Sequence, residues 1–437
     1  MTITALDEVR AAAARLQVWA FPCVMAQRVR LNFTQPRDPS ALRPATSAGA
    51  PLGRIGHQRA LSDPGLRVGV APNVDTLYSV AWLDLDAGEH ELVTPAYGER
   101  YYSYQVGLAD TGSPWSLGQR THGSQLPPLV FRRGPLGTRE RDGRLEVSTS
   151  HRFLMVCGRT LVEPGDPEDL ARVHALQDEV TLVARPGAPA PPEPPAGLRD
   201  VDLDAVARDA EVREPAAFAR SVARVVRDLA PASVPAEVRD DLATCGLTEG
   251  DPPGALAEAV RDGLADGVRQ IEARVGALGR LAHGWALNEV GPDVGADLAL
   301  RAAVAMAQIY VNPVQEAVYP VAEVDDRGEL LDGAERTYAI TFAADDQPPA
   351  AAFWSLTVYH RAGLLVENPL GRYAVGDRTP GLRREADGSL RVEVAAYPPA
   401  GGTANWLPAP PGPFRLMLRL YHPRDPGWVP PPVVRID

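Results

Sequence analysis

Residues 185–197 read R-P-G-A-P-A-P-P-E-P-P-A-G, a run that can enter neither a helix nor a sheet. Proline fixes its own φ, removes a backbone donor and pushes the residue before it towards extended backbone. A stretch this rich in proline therefore behaves as a stiff, extended spacer. It is the best domain boundary in the chain. The length of the chain agrees: 437 residues exceed what one core usually holds, so two or three well-buried domains are expected.

Before the spacer, Leu16, Trp19 and Val24 give residues 5–30 an apolar helical face, which Pro22 should kink or end. From Leu66 the pattern changes to short β-prone runs between turn residues, at 68–70, 77–85, 91–93, 101–106, 129–131, 145–148 and 153–156. That spacing predicts an antiparallel sandwich or barrel. After the spacer, Val222, Val225, Val226 and Leu229 form one stripe at helical spacing, and Val268, Ile271, Val275 and Leu278 form another. Both are read as core, with Pro231, Pro235, Pro252 and Pro253 separating the helices. A second β-rich region has strands expected at 336–342, 353–360, 390–394 and 415–421. The expected organisation is thus mainly β with a helical middle. A helix and first β domain span 1–184, a linker 185–198, a helical bridging segment 199–305 and a second β domain 306–437.

All 44 basic side chains are arginine. Without lysine the chain can form no Schiff base with pyridoxal phosphate or a carbonyl substrate, supply no Walker-type lysine and use no lysine as general base. The formal net charge of −12 comes without a basic block, so nucleic acid is not an expected partner. Cys23, Cys157 and Cys245 are far apart and form no C-x-x-C pair, which predicts free thiols in a reducing compartment. Charged residues interrupt the first thirty positions and no stretch nears the roughly 20 apolar residues of a membrane span, so the expectation is a cytoplasmic protein without membrane contact. There is no P-loop, dinucleotide fingerprint or G-x-S-x-G elbow, and the eight histidines form neither H-x-H nor H-E-x-x-H. No cofactor is predicted, although ligands gathered from distant strands would leave no such motif.

Several motifs carry a family resemblance: N-V-D-T-L-Y-S-V-A-W-L-D-L from Asn73, R-Y-Y-S-Y-Q from Arg100, Y-V-N-P-V-Q-E-A-V-Y from Tyr310, F-W-S-L-T-V-Y-H-R-A-G from Phe353, N-P-L-G-R-Y from Asn368, D-G-S-L from Asp387, N-W-L-P-A-P from Asn405 and F-R-L-M-L-R-L-Y-H-P from Phe414. With these the chain resembles the bacterial tandem of domain of unknown function 1254 followed by domain of unknown function 1214. The resemblance implies a jelly-roll-like sandwich for each β domain and no agreed reaction.

Period-two alternation puts Asn73, Asp75, Leu77 and Ser79 on one strand face and Tyr78, Val80 and Trp82 on the other. Asn73 and Asp75 read either as a polar pair at a pocket mouth or as a turn residue and a cap. Arg100, Tyr102 and Gln105 could meet them from a neighbouring strand, where Arg100 would be an anion clamp or a structural ion pair. In G-Q-R-T-H-G, Arg120 and His122 stand between glycines that permit close backbone approach, and a neutral His122 could act as a general base. D-T-G-S at Asp110 resembles half of an aspartic protease site, but no second copy follows. Within the second β domain the resemblance singles out Trp354, Asn368, Arg372, Tyr373, Asn405 and Trp406, which suit a sugar or other polar ring if they line a pocket and act as core plugs and turns if they do not. One of Phe353 and Trp354 must face away from the sandwich core.

The expected function is an enzyme acting on a small polar or polycyclic metabolite by acid/base chemistry with His122, Asp75 and Tyr102. It would be an isomerase, cyclase, lyase or hydrolase with a place in secondary metabolism, and its site would lie between the β domains. The alternatives are a non-catalytic carbohydrate or metabolite binder and an assembly scaffold. Assembly into a homo-oligomer is compatible with all three.

Overall fold

The computed structural model describes residues 3–34, 44–66, 71–185, 234–247, 254–288 and 290–437, with single positions between 217 and 229. The spacer beyond Arg185 and the strand expected at 68–70 lie outside the described residues.

The first β region holds two five-stranded sheets. In one the order is Ile55–His57, Thr76–Asp84, Phe153–Leu161, Tyr102–Leu108, Trp115–Gly118. In the other it is Thr181–Ala184, His90–Val93, Leu129–Arg133, Arg144–Thr149, Gly137–Arg141. Alternation along each strand sorts the side chains. Tyr102, Tyr104 and Val106 enter a core shared with Leu92, Phe131 and Val147 of the facing sheet, which leaves Ser103 and Gln105 on the opposite face.

The second β region pairs a seven-stranded sheet with a four-stranded one. Leu356 and Val358 of the strand Ala350–His360, with Leu416, Leu418 and Leu420 of Phe414–Pro423, pack against Tyr338, Ile340 and Val392 of the smaller sheet. Trp354 lies in this core, and Phe353 is the neighbour that faces out. Two pairs depart from the antiparallel expectation: Leu129–Arg133 with Arg144–Thr149, and Leu390–Ala395 with Trp406–Pro408. In the first, Arg144–Thr149 inserts between Leu129–Arg133 and the returning strand Gly137–Arg141, so it must run parallel to one of them.

The N-terminal helix spans Ile3–Thr34, covering the expected 5–30, and Pro22 lies inside it without ending it. Tertiary burial outweighs the lost hydrogen bond, because Trp19, Ala20, Cys23 and Val24 pack into a helical core and Ala26 packs beside Trp82 of the first sheet. The helical partners are distant in sequence. Gly254–Val275 crosses the N-terminal helix closely, and Leu298–Gln308 joins Val18 and Phe21. Of the two expected stripes, Val222, Val225, Leu229 and Ile271 are buried, while Val226, Val268, Val275 and Leu278 are half-buried. Among the described residues no helix is long and apolar enough to cross a membrane.

The outward face of the sheet containing Tyr102–Leu108 meets the outward face of the sheet containing Ala350–His360. Tyr101, Leu161, Ala317, Phe353 and Tyr421 form the apolar part of this seam.

Candidate functional site

Polar side chains on the two sheet faces meet in one buried network. Asp75, just ahead of its strand, accepts from Ser355 Oγ at 2.6 Å and from Arg378 Nη2 at 3.0 Å. Arg378 also donates to the Val162 carbonyl at 2.7 Å and lies 4.6 Å above the Phe353 ring. Asn73 donates to the Tyr421 hydroxyl at 2.8 Å, while its own oxygen takes the backbone N–H groups of Asp75 and Thr76. It is a turn residue and a cross-seam contact at once.

A second cluster centres on Glu316. Its carboxylate accepts from the Tyr101 hydroxyl at 2.8 Å and from Arg120 Nε at 2.9 Å, and His422 Nε2 lies 3.4 Å away without hydrogen-bond alignment. Burial pushes the Glu316 carboxyl up, but His422, Arg120 and Tyr101 more than offset this and hold it below its ordinary value. Burial, followed by the Glu316 charge, drives the Tyr101 hydroxyl well above its usual value, so it stays protonated. His422 has φ of 49° and donates its backbone N–H to the Glu316 carbonyl. A non-glycine residue in this left-handed region stores strain, which the surrounding packing must hold.

Two further guanidiniums are buried in the seam, and among the described residues neither has a carboxylate partner. Arg419 donates to Thr357, to the Ala71 carbonyl and to the Tyr359 hydroxyl. Arg159, only 9% exposed, donates to Gln105 Oε1 at 2.9 Å and sits 5.2 Å from the Tyr78 ring centre, and its Nη1 has no partner. Burying an unpaired ion costs several kcal/mol. A hydrogen bond to a charged group returns about 1.5–3 kcal/mol, and a desolvated ring contact returns about 2 kcal/mol.

A cleft of about 400 Å³ opens at the edge of the seam. Glu99, Arg100, Tyr101, Gln119, Glu163 and Asp169 line it from the first β region, and Ala351, Ala352 and Arg378 line it from the second. Arg100 grips Asp169 with both terminal nitrogens, Nη1 at 2.9 Å, and also donates to the Leu161 carbonyl. This contact, helped by the Glu163 backbone N–H, lowers the Asp169 carboxyl from 3.8 to about 2. A folded-state value below the unfolded one gives stability that is complete above the unfolded value and lost as pH falls through the folded one. Wild type is therefore expected to lose about 1–2 kcal/mol between pH 4 and pH 2 that an Asp169→Asn variant does not lose, read as the difference between their acid-unfolding curves.

Residues 52–184 match the model of DUF1254 and residues 316–425 match that of DUF1214, each described as a protein of unknown function. The chain is a DUF1254–DUF1214 tandem. The crystal structure of the VPA0106 protein from Vibrio parahaemolyticus superposes with a TM-score of 0.69 at 18% identity, covering 98% of this chain and all (100%) of that one, so the fold is shared. A putative uncharacterized protein from Burkholderia cenocepacia aligns over 99% of this chain and 95% of its own at 14% identity, with a TM-score of 0.45. No curated protein matches the chain.

Of the residues singled out from sequence, the tandem brings Asn73, Asp75, Gln105 and Arg120 into the seam and places Arg100 in the cleft wall. His122 and Tyr102 do not join them. The half-buried His122 bonds only to the adjacent Thr121, and its pKa is lowered by burial against the opposing charge of Glu140. Tyr102 lies inside the first core, stacked 4.1 Å from Tyr97, with its hydroxyl on the Gly123 carbonyl. In the DUF1214 half, Trp354 and Trp406 are core plugs. Arg372 binds the carbonyls of Thr403, Ala404 and Trp406, Asn368 folds the loop around Arg372, and Asn405 ties down residues 383 and 391. The N-P-L-G-R-Y and N-W-L-P-A-P motifs are thus one structural clamp, with the half-buried Tyr373 beside it. Asp110 of D-T-G-S pairs with Arg301 and bonds to the Gly112 backbone.

The seam residues missed by sequence reading are Tyr101, Arg159, Glu316, Arg378, Arg419 and His422. One signal was available: Arg415, Met417, Arg419 and Tyr421 alternate with four apolar residues, which marks a strand with a polar second face. Arg159 carries no comparable sign.

Proposed function

We propose that the protein is a cytoplasmic enzyme that takes a small polar or polycyclic metabolite in the cleft between its DUF1254 and DUF1214 halves and acts on it by acid/base chemistry. The cleft carries this reading, because both halves contribute charged side chains to a space large enough for such a ligand. Tyr101 forms part of its wall and shares its proton with Glu316, whose Oε1 also faces His422. A protonated phenol, an ionised carboxylate and an imidazole gathered at one oxygen can move a proton to or from a ligand at that wall. Isomerisation, cyclisation, elimination and hydrolysis all fit that chemistry. Arg100 and Arg378 would orient the ligand. Each half is best read as a sandwich of jelly-roll type. This is supported by the insertion of the last long strand of each, Phe153–Leu161 and Phe414–Pro423, between an early strand and a middle one.

Native mass spectrometry of the freshly purified protein tests the ligand, and also reports whether chains assemble. The expected result is a small-molecule mass excess that vanishes on denaturation. With that compound as substrate, Tyr101→Phe should retain binding and lose about a hundredfold or more in turnover, the usual range for a proton-transfer group. Retention without turnover would instead identify a non-catalytic binder. A clean mass, with a melting temperature unmoved by a metabolite panel, would contradict both readings.

A further inference from the structure

The fully buried part of the seam is electrostatically incomplete. Among the described residues it contains the carboxylates of Asp75 and Glu316, and both are already engaged, Asp75 by Arg378 and Glu316 by Arg120. Arg159 and Arg419 remain with neutral partners only. Arg419 satisfies itself with three hydrogen bonds, but Arg159 has one, and its Nη1 is buried without a partner. No carboxylate of the described residues stands among the groups around it, which are Gln105, Cys157 and the side chains of Tyr78, Tyr319 and Tyr421, the last held by Asn73. Asn312 donates to the Tyr319 hydroxyl and leaves its own oxygen buried and unpartnered. Exchanging the two ends of that amide would let Tyr319 donate to the oxygen and turn an N–H outward.

We infer that the seam holds a small carboxylate, taken by the free edge of Arg159 between the DUF1254 and DUF1214 halves. Planar guanidinium and planar carboxylate match in shape, and the charge of the anion offsets the surplus of the seam. Arg159 keeps 9% of its surface while Gln105, Phe353 and Tyr421 of the seam keep 1% or less, so only a compact group, and not a large phosphorylated one, would be accommodated. This anion site is separate from the cleft, which Arg159 does not line, and goes beyond the metabolite reading.

The test uses the full chain, dialysed free of carboxylates and held at constant ionic strength with a bulky sulfonate. Sodium formate or acetate should raise the melting temperature saturably by roughly 2–4 °C. Arg159→Met should melt higher than wild type in carboxylate-free buffer and lose the response to formate, because the unmatched charge is gone. If that variant does not fold, Arg159→Lys keeps the charge but loses the fork, and should need at least tenfold more formate for the same shift. A wild type indifferent to formate and acetate, a response to phosphate alone, or an unaltered formate response in Arg159→Lys would overturn the assignment. Formate stabilisation does not depend on any co-purified compound, so the metabolite reading and this one can fail separately.

Discussion

Glu316→Ala is expected to lower the stability of the folded chain by about 3–5 kcal/mol, read as a fall in the urea midpoint at unchanged m-value. The carboxylate is 2% exposed and serves Arg120, the Tyr101 hydroxyl and His422 together. Removing it leaves a guanidinium half withdrawn from water and a buried hydroxyl whose remaining partner is Ser103. Glu316→Gln should fall between the two, since an amide can still accept from Tyr101 but does not answer the charge of Arg120. A loss below about 1 kcal/mol in the alanine variant would show that the seam tolerates the open cluster, as an exposed ion pair would.

Gly263→Val is expected to cost about 3 kcal/mol through overpacking. A Cβ at this position would lie 2.2 Å from the Arg10 carbonyl oxygen and 2.7 Å from the Ala13 Cβ. Neither can yield, because one is helix backbone and the other is held by the helical core. Gly267 repeats the pattern one turn later, with Gln17 and Ala14 in the way. The two glycines are what allow Gly254–Val275 and Ile3–Thr34 to cross at backbone contact. Circular dichroism should show the helices retained while thermal unfolding shifts down. An exposed glycine of the same helix type would instead gain stability on losing its backbone freedom.

Much of the β architecture was legible. The expected runs at 353–360, 390–394 and 415–421 became Ala350–His360, Leu390–Ala395 and Phe414–Pro423, because a strand buried on one face needs a period of two. Strands such as Gly137–Arg141 escaped notice because a polar edge strand carries no apolar alternation. The helix expected over 5–30 extends over Ile3–Thr34 with Pro22 inside it, because tertiary burial overrides the local cost of the proline. In the site, Tyr101 and not Tyr102 faces the seam, a displacement of one residue that moves a side chain to the opposite face of the sheet.

The sequence by itself determined the two β regions, the buried helical stripes, the absence of any lysine chemistry and the family pair, since each depends on local periodicity or composition. Only the tertiary structure decided which sheet faces meet and which charges share the seam. Asp75 and Arg378, or Tyr101 and Glu316, are separated by hundreds of residues and become partners through burial at one interface, where a low dielectric makes pairing decisive and leaves Arg159 short of a partner.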